Sequence, residues 1–305
     1  MDEFELIARY FTGRGARRED VTLGVGDDAA LLEPVPDHTL VLTTDTLVAG
    51  RHFPEHEFPP AALGHRALAV NLSDMAAMGA DPAWALLSLT LPEVAESWVE
   101  DFSDAFSTLA ERTGVALVGG NLARGPMSVS VTLVGQVGHG KALTRAGARA
   151  GDTLWVTGAL GGGAAGLRAL QKGAPIDASA VAAYAWPEPR VKVARELAAR
   201  ADAAIDISDG LAGDLAKLLA ASGGLGAELV AGDIPLAGNA TLEDALGPSD
   251  DYELLLSIPQ AEATTLDMTR LGCELHCIGR VRAEPGLHLD GRPLNGAVHG
   301  YRHFS

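Results

Sequence analysis

Hydrophobic and polar residues along this chain follow strand-like and helix-like spacings in turn. Residues 38–46 (HTLVLTTDT) are β-branched and apolar and end in a polar cluster, which is typical of a strand. Residues 60–78 begin at a proline, continue with alanine and leucine and are followed by Gly79, which predicts a helix. The same criteria predict strands over 84–91, 115–118, 127–137, 153–157, 203–207, 252–258 and 275–281, and helices over 93–113, 161–170, 188–200, 210–221 and 260–271. Strands that alternate with helices predict an α/β fold in both halves of the chain.

A glycine-rich and locally basic segment, GHGKALTRAGARAGD over residues 138–152, separates the two halves. Domains typically hold about 100–200 residues, so a chain of 305 residues suits two of them. We therefore predict an N-terminal α/β domain over 1–140 and a C-terminal α/β domain over 148–305.

The chain is strongly acidic, with 40 Asp and Glu against 23 Lys and Arg and a formal net charge of −17. Such a surface repels nucleic-acid phosphates and anionic membranes, so neither is an expected partner. The first residues, MDEFEL, are acidic where a signal peptide is basic, and no apolar run approaches transmembrane length. We therefore expect a cytoplasmic protein whose two cysteines, Cys273 and Cys277, are reduced thiols.

Several acidic residues lie beside glycine, at strand ends or inside an apolar helix, instead of on a face mixed with lysine. They are Asp27, Asp28, Asp45, Asp74, Asp206 and Asp209. Thr43 and Thr44 add hydroxyl oxygens directly before Asp45, and Asn71 lies three residues before Asp74, on the same helical face. If these carboxylates converge, their mutual repulsion requires divalent cations, and oxygen-only ligands favour Mg²⁺ over zinc. Magnesium held by carboxylates, with positions open to phosphate oxygens, is typical of phosphoryl transfer.

Each of these features also has an ordinary structural interpretation. Ser208 or Asp209 can cap the helix that follows, and the other residues suit turns and strands. The glycine cluster over 160–166 lacks the lysine of a P-loop; it either offers N–H groups to an anion or allows close packing of helix against strand. Arg145 is either a phosphate clamp or an exposed linker residue.

Eight segments, in this order, resemble the thiamine-monophosphate kinase family, within the superfamily of aminoimidazole ribonucleotide synthetases and selenophosphate synthetases. They are GVGDDAALL (24–32), TTDTLVAGRHF (43–53), ALAVNLSDMAAMGADPAW (67–84), GGNLARGP (119–126), ALTRAGARAGD (142–152), AIDISDGLAGDL (204–215), DDYELLLSIP (250–259) and GYRHF (300–304). The resemblance implies an N-terminal domain that pairs with its twin in a homodimer and a C-terminal domain that covers the site. It also implies transfer of the γ-phosphoryl group of ATP to thiamine monophosphate without a phosphoenzyme.

The resemblance assigns roles residue by residue. Positions for Mg²⁺ correspond to Asp28, Thr43, Thr44, Asp45, Asp74, Asn121, Asp206 and Asp209, of which Asp45, Asp74 and Asp209 are expected to be catalytic. Nucleotide-binding positions correspond to Gly120, Asn121, Arg145 and Ser208, and positions that contact thiamine monophosphate correspond to His52, Asp250 and Tyr301.

Two stretches depart from the family pattern. The usual Gly-Gly-Asp-Thr is Gly-Gly-Asn-Leu over 119–122, so an amide replaces a magnesium carboxylate at Asn121. The usual Gly-Gly-Glu-Asp-Tyr-Glu is Pro-Ser-Asp-Asp-Tyr-Glu over 248–253, with a shorter acid at Asp250. We expect the ion at Asn121 to be the weakest held of the set.

Other functions remain open from the sequence. Selenophosphate synthesis uses a reactive cysteine or selenocysteine near the N-terminus, and this chain has no cysteine before Cys273. Ring closure by a synthetase of the same superfamily is less easily excluded, although the NLSDMAAMGADP and DDYELL segments fit the kinase better. A scaffold that binds metal and nucleotide without turnover would keep the same fold, and a test of ATP consumption with thiamine monophosphate separates it from an enzyme.

Overall fold

The computed structural model describes residues 2–55 and 58–294, so Tyr301 lies outside the described residues. The chain divides into two compact units, which are described separately. The first contains Met1–Met75 and Ala80–Gly140, and the second contains Ala76–Gly79 and Lys141–Ser305. Across the described residues, no helix has both the length and the apolar character needed to cross a membrane.

The first unit is built on a four-stranded sheet. Its elements are α1 (Glu3–Tyr10), β1 (Val21–Leu23), β2 (Leu31–Leu32), β3 (His38–Val48), α2 (Pro60–Ala77), β4 (Asp81–Leu91), α3 (Glu96–Thr113), β5 (Ala116–Arg124) and β6 (Ser128–Gly138). The strand order is β3-β6-β4-β5, in which only β4 and β5 run parallel, and β1 pairs with β2 separately. Strands β3 and β5 are therefore the two edges of the sheet.

The two faces of this sheet differ in burial. On β6, Val129, Val131 and Leu133 are buried on the face that carries α2, and α2 itself is largely apolar and buried along most of its length. On the other face, Leu40 and Leu42 of β3 are 44% and 64% exposed. We call these the helix face and the open face of the sheet.

The second unit is built on a seven-stranded sheet. Its elements are β7 (Thr153–Thr157), α4 (Gly162–Gln171), α5 (Ala182–Ala185), α6 (Val191–Leu197), β8 (Ala203–Ile207), α7 (Leu211–Ala221), β9 (Gly226–Leu229), α8 (Leu242–Leu246), β10 (Glu253–Ile258), α9 (Gln260–Ala263), β11 (Leu275–Arg282), β12 (Gly286–Leu289) and β13 (Arg292–Pro293), with 3₁₀ turns at Ala231–Asp233 and Met268–Arg270. The order is β13-β12-β9-β11-β7-β10-β8, with only β9 and β12 parallel. Leu211, Leu215 and Leu218 of α7 pack into the core of this unit.

The α/β architecture predicted for both halves is confirmed, and the strands predicted over 153–157 and 203–207 have those bounds. Cys273 and Cys277 are free thiols, as expected. The long helix predicted over 260–271 is wrong. Helix α9 ends at Ala263, because two β-branched threonines follow and Asp267 then accepts the N–H and hydroxyl of Thr269 to start a 3₁₀ turn.

Two other predicted bounds differ for local reasons. The helix predicted over 188–200 is confined to Val191–Leu197 and begins two residues after Pro189, since a proline disfavours helical backbone in the residue before it. The strand predicted over 115–118 extends to Arg124 because β4 provides parallel hydrogen bonds as far as Leu91. The GGNL segment therefore lies within a strand and not in a loop.

Candidate active site

The first group of predicted site residues lies where β3 contacts α2. The hydroxyl of Thr43 donates a hydrogen bond to Oδ2 of Asp74, and the backbone N–H of Asp45 donates to Oδ1 of Asn71 at 3.1 Å. Asn71 is fully buried and its amide donates to the carbonyl of Ala67 at 3.0 Å. Asn71 therefore anchors β3 to the helix, and Thr43, Asp45 and Asp74 share the helix face of the sheet.

Thr44 lies on the opposite face. Its hydroxyl donates to the carbonyl of Val131 at 3.2 Å and contacts the hydroxyl of Thr132 at 3.1 Å. Successive side chains of a strand point to opposite faces, so the run Thr43–Thr44–Asp45 brings two of its three side chains together. The hydroxyl of Thr44 is directed away from the carboxylate of Asp45.

A cleft of about 920 Å³ in the first unit brings together a second group, which includes Asp27, Asp28, Gly120 and Asn121. Both aspartates are exposed, and the N–H of Asp28 donates to Oδ1 of Asp27 at 2.8 Å. The structure therefore brings the predicted metal residue Asp28 into one cleft with Gly120 and Asn121.

The strand register shows on which face of the sheet Asn121 lies. Asn121 pairs with Ser88, which pairs with Ser130, which in turn pairs with Thr46. Directly paired residues share a face, so Asn121 lies on the open face. Within this unit it is thus on the opposite side of the sheet from Asp45.

Gly120 has a backbone that no other residue fits. Its φ angle is 150°, and a Cβ atom added there would lie 1.8 Å from the carbonyl oxygen of Leu87 on the neighbouring strand. The neighbouring Gly119 is different, because a Cβ atom there would meet only the flexible side-chain end of Leu86, at 3.0 Å. The chain beside Asn121 is held in place by this close approach of two backbones.

We expect Gly120→Ala to lower the free energy of unfolding by about 3 kcal/mol or more, because β4 and β5 must separate to admit the methyl group. The matched control is Gly119→Ala, where one side-chain rotation relieves the contact. Thermal unfolding of both variants measures the effect. Equal melting temperatures for the two variants would contradict this account of Gly120.

In the second unit, the turn between β8 and α7 carries Ser208 and Asp209. The backbone N–H groups of both residues donate to Oδ2 of Asp214, at 3.0 and 2.9 Å. Asp214 is buried within the first turns of α7, and neither Ser208 nor Asp209 is the N-cap residue, which is Gly210. Neither Ser208 nor Asp209 therefore caps the helix, and Asp214 instead holds the turn that precedes it.

A lysine of α7 binds both aspartates at this turn. Nζ of Lys217 donates to Oδ2 of Asp209 at 2.5 Å and to Oδ1 of Asp214 at 2.8 Å. Burial raises the pKa of Asp214, against the lowering effect of Lys217. Burial acts to lower the pKa of Lys217, but its bonds to the two carboxylates outweigh burial and raise it. The predicted site residue Asp206, at the end of β8, is buried beside this turn.

Arg145 lies apart from Ser208 and Asp209. Its side chain is exposed, and its carbonyl accepts a hydrogen bond from Ser222 Oγ at 3.0 Å, just after α7 ends. A helix of 11 residues spans about 16 Å, so the backbone of Arg145 is at the opposite end of α7 from Asp209. The second unit does not gather all the predicted nucleotide residues into one cluster.

The glycine-rich start of α4 binds an anion that belongs to the protein. Asp251 is buried and accepts hydrogen bonds from the N–H groups of Gly161 and Gly163, at 2.8 and 3.0 Å, and from Ser249 Oγ at 2.8 Å. The N–H groups of the glycine cluster thus bind Asp251, and Gly163 also lies against the backbone of Asp250, in the segment before β10. This arrangement fixes the turn that carries the predicted substrate residue Asp250.

Burial raises the pKa of Asp251 from 3.8 to about 6, against the opposing hydrogen bonds from Gly163, Gly161 and Ser249. A carboxyl group whose pKa is raised on folding stabilises the folded state below its unfolded pKa, and that contribution is lost as pH rises through the folded pKa. Asp251 alone therefore makes the protein less stable near neutral pH than near pH 4.

We expect Asp251→Asn to remove this pH dependence, which amounts to about 3 kcal/mol at most between about pH 4 and 7. The measurement is the melting temperature of both proteins across that range. The control is Asp177→Asn, the same change at an exposed position. Parallel pH profiles for the native protein and Asp251→Asn would show that Asp251 titrates normally.

His52 lies just after β3 in a tight turn. Its Nδ1 accepts the N–H of Val48 at 2.9 Å, and its own backbone N–H donates to the carbonyl of Val48 at 3.0 Å. Because Nδ1 is an acceptor, the neutral ring carries its proton on Nε2. The ring is half-buried.

Comparison with known proteins matches these features to one family. The family model "AIR synthase related protein, N-terminal domain" matches residues 26–137, and "AIR synthase related protein, C-terminal domain" matches residues 149–291. Thiamine-monophosphate kinase of Salmonella typhimurium is 43% identical, over 99% of this chain and 98% of the relative. The chain belongs to the thiamine-monophosphate kinase family. The resemblance predicted from the motifs is confirmed.

Two solved structures are similar to this thiamine-monophosphate kinase family member along most of their length. Thiamine-monophosphate kinase from Stenotrophomonas maltophilia has a TM-score of 0.85 and 41% identity, and the match covers 95% of this chain and 96% of that chain. AaThiL complexed with AMPPCP and TMP has a TM-score of 0.80 and 33% identity, with 92% of each chain covered.

The donor atoms at these positions fit the magnesium expected for the family. They are carboxylate, amide and hydroxyl oxygens, which Mg²⁺ prefers. An ammonium group, that of Lys217, occupies one carboxylate oxygen of Asp209, the place that a cation would take. Within residues 2–55 and 58–294, no group of three or more His, Cys, Asp or Glu side chains is close enough to hold an ion by itself.

Three residues with clear roles at these positions were missed by sequence reasoning. Asn71 was noted only for its helical face, whereas it anchors β3, and neither Asp214 nor Lys217 was selected. The available signal was spacing, since Asp214 and Lys217 are three residues apart and share a face of α7.

Proposed function

We propose that this chain transfers the γ-phosphoryl group of ATP to thiamine monophosphate and so makes thiamine diphosphate. The observation that carries the proposal is the 43% identity to a thiamine-monophosphate kinase over 99% of the chain. The complex of AaThiL with AMPPCP and TMP supports it, since AMPPCP stands in for ATP with a carbon bridge that resists transfer.

We further propose that Mg²⁺ is bound by the oxygen donors that the resemblance assigns to it. Asp45, Asp74 and Asp209 would be its catalytic ligands, and the further ligands would come from Asp28, Thr43, Thr44, Asn121 and Asp206. When bound, Mg²⁺ supplies positive charge to the transferring phosphoryl oxygens. The chain needs that charge, since its own net charge of −17 repels ATP.

The remaining predicted roles follow the same proposal. The Gly120 backbone, Asn121, Arg145 and Ser208 bind the nucleotide, while His52 and Asp250 contact thiamine monophosphate. The ring of His52 is held by Val48 with an N–H donor at Nε2, which suits a phosphate oxygen. Asp250 offers a carboxylate to the cationic thiazolium ring. Tyr301 keeps its predicted substrate role and lies outside the described residues.

We also propose that the protein is a homodimer that covers the open face of the four-stranded sheet. Three leucines of that face, Leu40, Leu42 and Leu86, are 44%, 64% and 41% exposed, and the edges β3 and β5 have no neighbouring strand within the sheet. Exposed apolar patches and strand edges favour association. Light scattering tests this proposal: a mass of two chains supports it and a monomer contradicts it.

The experiment that tests the proposed function compares acceptors. Purified protein with ATP and magnesium should phosphorylate thiamine monophosphate and leave free thiamine unchanged, because metal-bridged acidic sites bind a phosphate acceptor and not a bare alcohol. Mass detection of the products separates the two. Equal turnover of free thiamine would contradict the proposal.

Asn121→Asp should lower the magnesium concentration for half-maximal rate by a few-fold, if one added ligand charge contributes about 1 kcal/mol in a partly solvated site. The measurement is a magnesium titration of initial rate at saturating substrates. The control is Asn239→Asp, which adds the same charge at an exposed position. An unchanged or higher requirement in Asn121→Asp would show that residue 121 does not contact the metal.

A further inference from the structure

The turn over 208–210 is contacted by a lysine of α7, between two aspartate side chains. Lys217 extends from α7 to both Asp209 and Asp214, at 2.5 and 2.8 Å. The side chain of Asp214 is 1% exposed, whereas those of Asp209 and Lys217 are 28% and 42% exposed. The lysine thus joins a buried carboxylate to one that faces solvent.

The two carboxylates differ in how fully they are bonded. Asp214 uses both oxygens, since Oδ2 accepts the N–H groups of Ser208 and Asp209 and Oδ1 accepts Lys217. Asp209 uses only Oδ2, for Lys217, and among residues 2–55 and 58–294 its Oδ1 accepts no hydrogen bond. Both oxygens of Asp214 are therefore already hydrogen-bonded, whereas Oδ1 of Asp209 is available to another partner.

The positive charge of Lys217 affects both the repulsion between the two carboxylates and the binding of a metal ion. Without a cation, the carboxylates of Asp209 and the buried Asp214 repel each other, since both lie within hydrogen-bond distance of the same Nζ atom, at 2.5 and 2.8 Å. A divalent cation on Asp209 would in turn be repelled by an ammonium group bonded to the same carboxylate. Lys217 therefore stabilises the turn when no metal is bound and weakens metal binding there.

We propose that Lys217 is a positioning residue, which holds Asp209 in place as a resident counterion and competes with the divalent ion for that carboxylate. The proposal rests on the proposed function, in which Asp209 is a magnesium ligand. Lys217 would then set how much magnesium the protein needs, and would keep the Ser208–Asp209 turn formed between turnovers. A purely structural lysine would support the turn without affecting its affinity for metal.

The test is thermal unfolding of Lys217→Met with and without magnesium chloride, in the absence of ATP and thiamine monophosphate. Without magnesium, we expect the variant to melt several degrees below the native protein, at about 2–4 °C per kcal/mol lost. With magnesium, we expect its melting temperature to rise by more than that of the native protein. Calorimetric titration should show magnesium binding about tenfold tighter in the variant.

Two further variants keep the test decisive. Lys217→Arg retains the charge and should behave as the native protein, and Lys217→Gln removes the charge but keeps a hydrogen-bond donor if Lys217→Met does not fold. Lys172→Met is the matched control, because Lys172 is exposed and its ammonium has no partner among the described residues. Equal magnesium responses in the native protein and the neutral Lys217 variants would overturn the proposal, as would the same gain in Lys172→Met.

The outcome is separable from that of the kinase assay. A gain in magnesium affinity without any thiamine diphosphate formation would retain the role of Lys217 and reject the proposed function. Thiamine diphosphate formation with no change in magnesium affinity would retain the proposed function and reject the role of Lys217.

Discussion

Asp45→Asn is expected to lower kcat by about 10²-fold or more, because it removes a full negative charge from the metal-binding group on the helix face. The substitution should leave the fold intact. What anchors residue 45 to Asn71 is its backbone N–H, which any side chain retains. The measurement is the rate of ADP release at saturating ATP and thiamine monophosphate, with the melting temperature recorded for the same sample.

The control for Asp45→Asn is Asp101→Asn, the same chemical change on the exposed surface of α3. It should keep native activity. A loss of less than about threefold in Asp45→Asn would return Asp45 to a structural role. A large loss accompanied by a much lower melting temperature would show that the fold, and not the chemistry, had been damaged.

Asp209→Asn is expected to lower kcat by a similar factor, about 10²-fold or more. Lys217 keeps its bond to Asp214, and the amide oxygen of the new asparagine can still accept from the lysine. The turn should therefore persist, and the melting temperature should change little. The rate loss should come with a higher magnesium requirement, since one ligand charge is gone.

Asp177→Asn serves as the control for Asp209→Asn, because Asp177 is an exposed aspartate of the same unit. If Asp209→Asn kept nearly full activity at low magnesium, Asp209 would not be a ligand. If it unfolded the second unit, Asp209 would be mainly the partner of Lys217.

Much of the fold could be predicted because the spacing of hydrophobic residues in a long segment indicates whether it forms a strand or a helix. Strands β3 and β6, of 11 residues each, and helix α2, of 18, are of this kind. Short elements gave no such signal: β9 has four residues, β13 has two, and each is stabilised mainly by pairing with a neighbour distant in sequence. The predicted length of strand β5 was too short for the same reason. Its glycines weaken the hydrophobic pattern of a strand, while β4 provides the hydrogen bonds that extend it.

The candidate site was predictable in its residue types and less so in its grouping. The motifs identified Asp45 and Asp74, and the structure places them on one face. Adjacency along the chain misled for Thr44, whose side chain the strand directs to the other face. The resemblance grouped Arg145 with Ser208, whereas their backbones lie at opposite ends of α7.

The contact of Lys217 with Asp209 is not apparent from the sequence, because the lysine is not a near neighbour of the aspartate along the chain. Eight residues separate Asp209 from Lys217, but two turns of helix bring the ammonium group back to the carboxylate. The role of Asp214 could not be predicted from the sequence, because its side chain extends from the fourth position of α7 back to the N–H groups of Ser208 and Asp209.

The central claim is direct phosphoryl transfer to thiamine monophosphate. The most direct measurement incubates the purified protein with ATP, magnesium and thiamine monophosphate and counts ADP and thiamine diphosphate together by mass spectrometry. We predict equal amounts of the two products, and about a hundredth of those amounts or less from Asp45→Asn over the same period. ADP and free phosphate without thiamine diphosphate, or no consumption of ATP, would contradict the account.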